Sequence, residues 1–374
     1  MSGAASAGPL AGLKVVEFAA IGPVPFAAMV LSDLGAEIVR IDRPGATTTD
    51  PRDITCRGRS ARLGLDLKNA DDVALARQLI AKADVLLEGF RPGVLERLGL
   101  APADLMVDNP GLIVTRVTGW GQDGPLSPRA GHDLTYIALS GALHAIGPAD
   151  HPIPPLNLVG DYGGGGMLAL VGLLSALFER AQSGRGQVVD AAMTDGSSLL
   201  MAFVYGLKAM GQWQDVRETN MLDGAAHFYT TYRCRDGRFL AVGPIEPQFH
   251  ATFAKIMGVE DFGPDQYDTT RWSERRDRLR EIFLTRDRDD WVAAFDGTDA
   301  CVAPVLAMEE VRHHPHNAAR GTFAEVDGVV QPAAAPRFDR TPGAIKAAGE
   351  RETEDVLSGW GVDATLVETL AGKG

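Results

Sequence analysis

The chain has 374 residues, 45% of them apolar and 23% charged, with a formal net charge of −13 at pH 7. That length exceeds what one growing core usually reaches and predicts a large domain plus a smaller one; the acidic balance excludes a broad nucleic-acid or anionic-membrane surface but permits a small, specific phosphate pocket. Three scattered cysteines, Cys56, Cys234 and Cys301, form neither a disulfide framework nor a metal pattern, so no metal is expected and a reducing cytoplasm fits.

The first twelve residues lack a basic segment followed by an apolar one, so no secretory leader is expected. Residues 13–18 read as a buried strand, followed by a loop at Gly22-Pro23-Val24-Pro25, a helix over 26–34 stopped at Gly35, and a second strand over 36–41. This is a βαβ unit. Residues 62–67 predict a strand, 70–83 a helix, 84–87 a buried strand, 94–100 a helical turn, and 111–118 a strand ending at Gly119-Trp120-Gly121. Strands alternating with helices predict an α/β fold with a doubly wound parallel sheet, whose ligands lie beyond the carboxyl ends of the strands. No G-x-G-x-x-G follows the first strand, which disfavours a dinucleotide cofactor.

Residues 167–179 predict a long apolar helix, whose most apolar part, 167–178, is too short to span a bilayer. No membrane association is expected. A strand over 187–192, a helix over 195–210 and a polar linker over 212–223 follow. Strands over 228–232 and 238–242 flank Arg235-Asp236-Gly237, a hairpin signal; helices over 247–257, 273–284 and 288–295 and a strand over 302–306 complete a second pattern. The expected organisation is a large α/β domain over 1–220, completed by a tail over 331–374, with a small α+β domain over 221–330. The tail ends in a short helix over 353–360.

The chemistry concentrates between Gly131 and Gly166. His132 lies between Gly131 and Asp133, ahead of Leu134, Tyr136, Ile137 and Leu139, in the first turn of an expected helix. Free N–H groups and the helix dipole there favour developing negative charge, although the same histidine would serve as a structural cap. Asp161 precedes four glycines that permit close approach, and the apolar helix behind it implies partial burial, which favours a protonatable carboxyl; an ordinary helix N-cap is the other reading. Glu246, between Ile245 and Pro247, is either a solvated loop carboxylate or a partner orienting His132. His313-His314-Pro315-His316 lacks accompanying ligands at useful spacing and reads as a polar loop. Arg43, Lys68 and Arg91 each follow a strand on the sheet rim, where converging cations would hold phosphates.

Leu10-Ala11-Gly12-Leu13-Lys14-Val15-Val16-Glu17, Leu34-Gly35-Ala36-Glu37, Arg40-Ile41-Asp42-Arg43-Pro44, Asp84-Val85-Leu86-Leu87-Glu88-Gly89-Phe90-Arg91-Pro92-Gly93, Gly119-Trp120-Gly121-Gln122-Asp123-Gly124-Pro125 and Gly160-Asp161-Tyr162-Gly163-Gly164-Gly165 together resemble the family III CoA-transferase superfamily over nearly the whole chain. Within it, Gly131-His132-Asp133 with Ile245-Glu246-Pro247-Gln248-Phe249 is similar to the α-methylacyl-CoA racemase branch. The resemblance implies that His132 and Asp161 are the two catalytic bases and that Glu246 supports the histidine. It implies CoA contacts at Arg43, at Leu65, Asp66, Leu67 and Lys68, at Glu88, Gly89, Phe90 and Arg91, and at Gly131, His132 and Tyr136. It also implies an interlocked homodimer. No tightly bound cofactor is expected, coenzyme A being part of the thioester substrate.

Inverting the carbon beside a thioester carbonyl requires one group to remove a proton from one face and another to return one to the opposite face. The two must be in opposite protonation states, which one proton shared between His132 and Asp161 supplies in either direction. The enolate oxygen would be held by a helix-start N–H, that of Asp133. Two other functions stand beside this one: a CoA-transferase using Asp161 as nucleophile, which has no evident use for His132, and a non-catalytic acyl-CoA-binding protein, which needs neither base.

Overall fold

The computed structural model describes residues 8–46, 50, 52–346 and 351–374. The stretch read for a leader therefore lies partly outside the described residues. The chain divides into two compact units, one running to Ser140, resuming over Leu156–Met201 and closing with Ala318–Gly374, the other built from Gly141–Pro155 and Ala202–Asn317.

The first unit is organised by β1 (Lys14–Phe18), β2 (Glu37–Asp42), β3 (Ala61–Gly64), β4 (Val85–Glu88), β5 (Ile113–Thr118) and β6 (Val188–Ala192), paired in the order β3-β2-β1-β4-β5-β6. Every pairing is parallel. Successive side chains leave a strand on opposite faces, and here both faces are covered. Val16, Phe18, Val39, Leu86 and Val114 enter one core with Leu79 and Ile80 of the helix Ala70–Ile80; Val15, Ile38, Val85, Leu87 and Ile113 enter another with Leu31 of the helix Pro23–Asp33 and Leu173 of Leu168–Ser183. The strand order reverses between β1 and β4, so the crevice beyond their carboxyl ends is where such a sheet holds a ligand.

Several helices differ from expectation for local reasons. The expected loop at Gly22-Pro23-Val24-Pro25 is the cap and first turn of Pro23–Asp33, because proline at the first helical position has φ preset and needs no N–H acceptor. The expected helix over 195–210 is two helices, Met193–Leu200 and Ala202–Ala209, separated where the Met201 N–H turns back to Ser198 O at 3.1 Å. The chain changes unit there. The apolar helix is also longer than expected: Leu158–Met167 continues directly into Leu168–Ser183, giving 26 residues with a mean hydropathy of 1.3 in its most apolar window. By length and composition that helix is able to cross a bilayer, which corrects the estimate drawn from residues 167–178.

The second unit carries an antiparallel sheet of β7 (Thr230–Arg233), β8 (Phe239–Val242) and β9 (Val302–Pro304), with helices at Pro247–Met257, Trp272–Phe283 and Arg288–Phe295. Its boundaries differ from the expected 221–330. Arg217 donates to Pro148 O at 2.8 Å, His144 O at 3.0 Å and Ala149 O at 3.2 Å, tying residues 141–155 to the stretch read as a linker. At the other end, β10 (Phe323–Val326) and β11 (Val329–Pro332) form a hairpin turning at Asp327-Gly328, both at positive φ, and this hairpin belongs to the first unit. Arg57 holds it there, donating to Gln331 Oε1 at 2.6 Å.

The C-terminal helices Thr353–Gly359 and Ala364–Ala371 complete the first core with Val356, Leu357, Trp360, Leu366, Val367 and Leu370. Trp360 is 2% exposed, and its indole N–H donates to Glu37 Oε2 at 2.8 Å. Trp360→Ala is expected to destabilise the first unit by about 3–5 kcal/mol, through the cavity left in the core and the lost hydrogen bond to Glu37. Urea unfolding followed by circular dichroism checks this, with a midpoint unchanged from wild type as the contrary result.

Candidate active site

His132 stands one residue ahead of the helix Asp133–Ser140 as its cap rather than within its first turn. Thr135 fixes it from both sides: its hydroxyl accepts the His132 N–H at 3.1 Å and donates to the His132 carbonyl at 2.8 Å. The same carbonyl accepts from Thr135 N at 2.8 Å and Tyr136 N at 3.2 Å. The imidazole is thus presented, exposed, from a rigid backbone. Asp133, as the first helical residue, has an N–H without an intrahelical acceptor.

Asp161 lies inside Leu158–Met167, a wide-turned segment in which Tyr162 N reaches back five residues to Asn157 O at 3.2 Å. Turns of this width recur at functional sites, and the placement removes the N-cap reading of Asp161. The carboxyl is half-buried, accepts from Asn157 Nδ2 at 3.3 Å, and its backbone N–H donates to Asp133 Oδ2 at 2.7 Å. Burial pushes the Asp161 carboxyl above its ordinary value; the Asn157 amide opposes this, the Asp133 carboxylate adds to it and His132 opposes it. The glycines after Asp161 serve helix packing. A Cβ on Gly164 would stand 2.7 Å from Ser197 N, and one on Gly166 2.6 Å from Phe26 Cδ1.

A cavity of about 830 Å³ within the first unit brings these groups together, lined by His132 and Asp161 with Gly131, Tyr136, Arg43, Gly89, Phe90 and Arg91 among others. An adjoining cavity of about 650 Å³ is lined by Leu65, Asp66, Leu67 and Lys68, and shares Ala19, Asp42, Arg43, Phe90 and Val94 with the first. The two make one groove along the carboxyl ends of β1, β2 and β4, with Arg43, Lys68, Arg91 and Arg129 as its lining cations. Pro23 and Pro25 remove two N–H groups from the first turn after β1, so this helix start lacks the full set of donors that holds phosphate in dinucleotide folds.

Glu88 departs from expectation. Its side chain is fully enclosed, with Oε1 accepting from Arg116 Nε at 2.8 Å and Oε2 from the Phe90 N–H at 2.6 Å. It therefore braces the loop carrying Phe90 and Arg91 from beneath and does not line the groove. Burial raises its carboxyl, against the Arg116 guanidinium. Glu246 belongs to the second unit, where it is exposed and caps Pro247–Met257. Among the described residues no three His, Cys, Asp or Glu side chains are grouped to hold a metal ion.

Sequence reasoning gave no role to Asn157. Asn157 was legible as the residue four before Asp161, a spacing that juxtaposes side chains on helical backbone. Trp120 meets the Tyr136 ring edge-on at 4.8 Å, and that ring fits against Gly119, where a Cβ would come within 2.0 Å of it. Only the fold brings those residues together.

The site joins two acid/base groups of different chemistry to a cationic groove on a Rossmann-ordered sheet. The family model for CoA-transferase family III matches residues 10–349, and the chain belongs to that family. It is 45% identical over 359 residues to alpha-methylacyl-CoA racemase of Mus musculus, covering 94% of this chain and 93% of that protein. It is 44% identical to the Homo sapiens protein of the same name, with the same coverages. A succinyl-CoA–L-malate CoA-transferase alpha subunit of Chloroflexus aurantiacus is 30% identical, over 91% of this chain and 85% of that one. A crystal structure of a CAIB/BAIF family protein from Brucella suis superposes with a TM-score of 0.75 at 27% identity, covering 91% of this chain and 95% of that one.

Proposed function

We propose that this protein is an isomerase that inverts the α-carbon of 2-methylacyl-CoA thioesters by two-base 1,1-proton transfer through an enolate. The observation that carries the reading is the presence of His132 and Asp161 on one cavity continuous with the cationic groove. The racemases at 44–45% identity support the same reaction.

With the nucleotide part of the substrate in the groove, the thioester carbonyl lies at the start of Asp133–Ser140, where the Asp133 N–H opposes the charge of the enolate. A neutral His132 takes the α-proton from one face and a protonated Asp161 returns one to the other; the products, imidazolium and carboxylate, are the reactants for the reverse direction. One proton thus serves both directions, and the pair titrates as a unit. The elevated carboxyl of Asp161 suits this, since a donor far more acidic than imidazole would rarely carry the proton near neutrality.

The reading includes a cytoplasmic homodimer in which Glu246 supports His132, and a second copy covering exposed apolar residues of the long helix, among them Met167, Val171, Leu174 and Phe178. The substrate supplies coenzyme A, and no tightly bound cofactor takes part. Arg43 and Arg91 act as phosphate contacts remote from the reacting carbon. Neutralising either is expected to raise KM for an acyl-CoA several-fold more than it lowers kcat, because such contacts bind ground and transition states alike; steady-state kinetics check this, with an unchanged KM and collapsed kcat as the contrary result.

Family III also contains transferases, in which the aspartate would act as a nucleophile through an acyl anhydride. Incubation of resolved 2-methylacyl-CoA enantiomers, with and without a free acid and hydroxylamine, separates the readings. Racemisation without CoA exchange or a trapped Asp161 adduct supports the isomerase. Exchange and a trapped adduct without racemisation would make it a transferase, and neither activity would leave a binding protein.

A further inference from the structure

Asp133 has so far supplied only a backbone N–H, yet its side chain occupies the most constrained position in the site. It is 7% exposed, and Oδ2 accepts the Asp161 N–H at 2.7 Å. The residue before Asp161 is Gly160, where a Cβ would stand 2.4 Å from Asp133 Oδ2 and 2.8 Å from its Cγ. That space is filled by the carboxylate. Oδ1, by contrast, is buried without a hydrogen-bond partner among the described residues. An asparagine would make the same bond to Asp161 N–H without placing a half-satisfied negative charge out of water, so hydrogen bonding alone does not account for an aspartate here.

We propose that the Asp133 carboxylate is a positioning residue that ties the turn carrying Asp161 to the helix start carrying His132, and that its charge sets how readily Asp161 holds the shared proton. The inference rests on the two-base reading and deepens it. A racemase works in both directions, so its two bases need comparable proton affinity, whereas an ordinary imidazole and an ordinary aspartate differ by about 2.6 pH units. A second carboxylate bonded to the backbone of the first narrows that gap by disfavouring the ionised form of Asp161.

The groups facing Asp161 are few. From the helix Asp133–Ser140 and its cap come His132, Asp133 and Tyr136, the phenol being held protonated by burial and by Asp161 itself. Gly22, the cap of the helix Pro23–Asp33, lies where a Cβ would stand 3.0 Å from Asp161 Oδ2, the Asn157 amide donates to the same oxygen at 3.3 Å, and Pro23 and Met193 line the same cavity, all uncharged. Asp133 is thus the anion acting on Asp161 and His132 the cation opposing it.

The test uses full-length Asp133→Asn and Asp133→Ala, with thermal melts to establish folding, and two readouts. The first is the titration of the Asp161 carboxyl by ¹³C NMR of carboxyl-labelled aspartate, assigned by difference from Asp161→Asn. The second is kcat and KM against pH from each enantiomer of a 2-methylacyl-CoA. In Asp133→Asn the Asp161 titration is expected to move down toward the ordinary aspartate value. The acid limb for the direction in which Asp161 removes the proton follows it down, and kcat falls roughly tenfold as the base weakens. In Asp133→Ala, which also loses the tether, kcat falls roughly 10²-fold in both directions with little change in KM. An Asp161 titration and acid limb unmoved in Asp133→Asn would overturn the proposal, as would an Asp133→Ala that melts earlier but turns over normally. Should neither variant fold, the wild-type titration decides, and an Asp161 carboxyl in the ordinary aspartate range overturns it. Because the NMR titration needs no turnover, a protein that fails to racemise while Asp133→Asn still shifts Asp161 would refute the two-base reading and leave the coupling standing.

Discussion

Replacing His132 by alanine is expected to lower racemisation roughly 10²–10⁴-fold, the range typical of losing a positioned general acid or base. KM for acyl-CoA should move little, because the cations and the groove along β1, β2 and β4 do not depend on the imidazole. The fold should survive as well. His132 is exposed, and its place in the chain is fixed by backbone bonds to Thr135 and Tyr136 that alanine retains. Parallel measurement of kcat, KM and melting temperature separates the roles: a large fall in kcat alone identifies a base, whereas near-normal turnover would remove His132 from the chemistry.

Gly160→Ala is expected to lower kcat by roughly 10²-fold without touching either base, since a small misplacement of reacting groups is enough for that loss. The added methyl would stand 2.4 Å from Asp133 Oδ2 and 3.1 Å from Ile137 Cγ2, so the carboxylate must leave the Asp161 N–H or the turn must move. Overpacking of this kind also destabilises by about 1–3 kcal/mol. Gly206→Ala is the control: a Cβ there meets nothing within 4 Å, and helical alanine should be neutral or mildly stabilising. Kinetics and urea unfolding on both variants check the contrast. Full activity in Gly160→Ala would show that the site tolerates movement between the two turns.

The parallel sheet was legible because its strands are short apolar runs separated by helical periodicity, and a strand buried on both faces carries that signature in one dimension. The hairpin at Arg235-Asp236-Gly237 and the helix Pro247–Met257 were equally plain, one from its turn residues and the other from Pro247 at its first position. The second hairpin carried a comparable signal in Asp327-Gly328 that the surrounding Pro/Ala-rich composition obscured. Unit boundaries were not legible, since Arg217 joins the loop over 141–155 through carbonyl contacts that leave no trace in sequence pattern.

The site divides in the same way. Residues that project from strand ends, Arg43, Lys68 and Arg91, could be placed on the rim from local order alone. Glu88 shares that location yet points into Arg116, because a side chain at a strand's last position turns inward or outward according to neighbours fixed only in three dimensions. Likewise the glycines after Asp161 pointed to close approach by backbone or ligand, and only the fold shows which neighbours come close: Ser197, Met193 and Phe26 from adjacent helices. The bond from Asp161 N–H to Asp133 spans 28 positions, beyond the reach of any local pattern.

The most direct measurement incubates each single enantiomer of a 2-methylacyl-CoA in D₂O with wild type, His132→Ala and Asp161→Asn, following configuration and deuterium at the α-carbon together. Wild type is expected to invert either enantiomer with deuterium entering at that carbon. His132→Ala should lose exchange chiefly for the enantiomer whose proton faces His132, and Asp161→Asn chiefly for the other. Equal loss for both enantiomers in both variants, or wild-type inversion with the original hydrogen fully retained, would contradict two bases dividing the faces of one carbon.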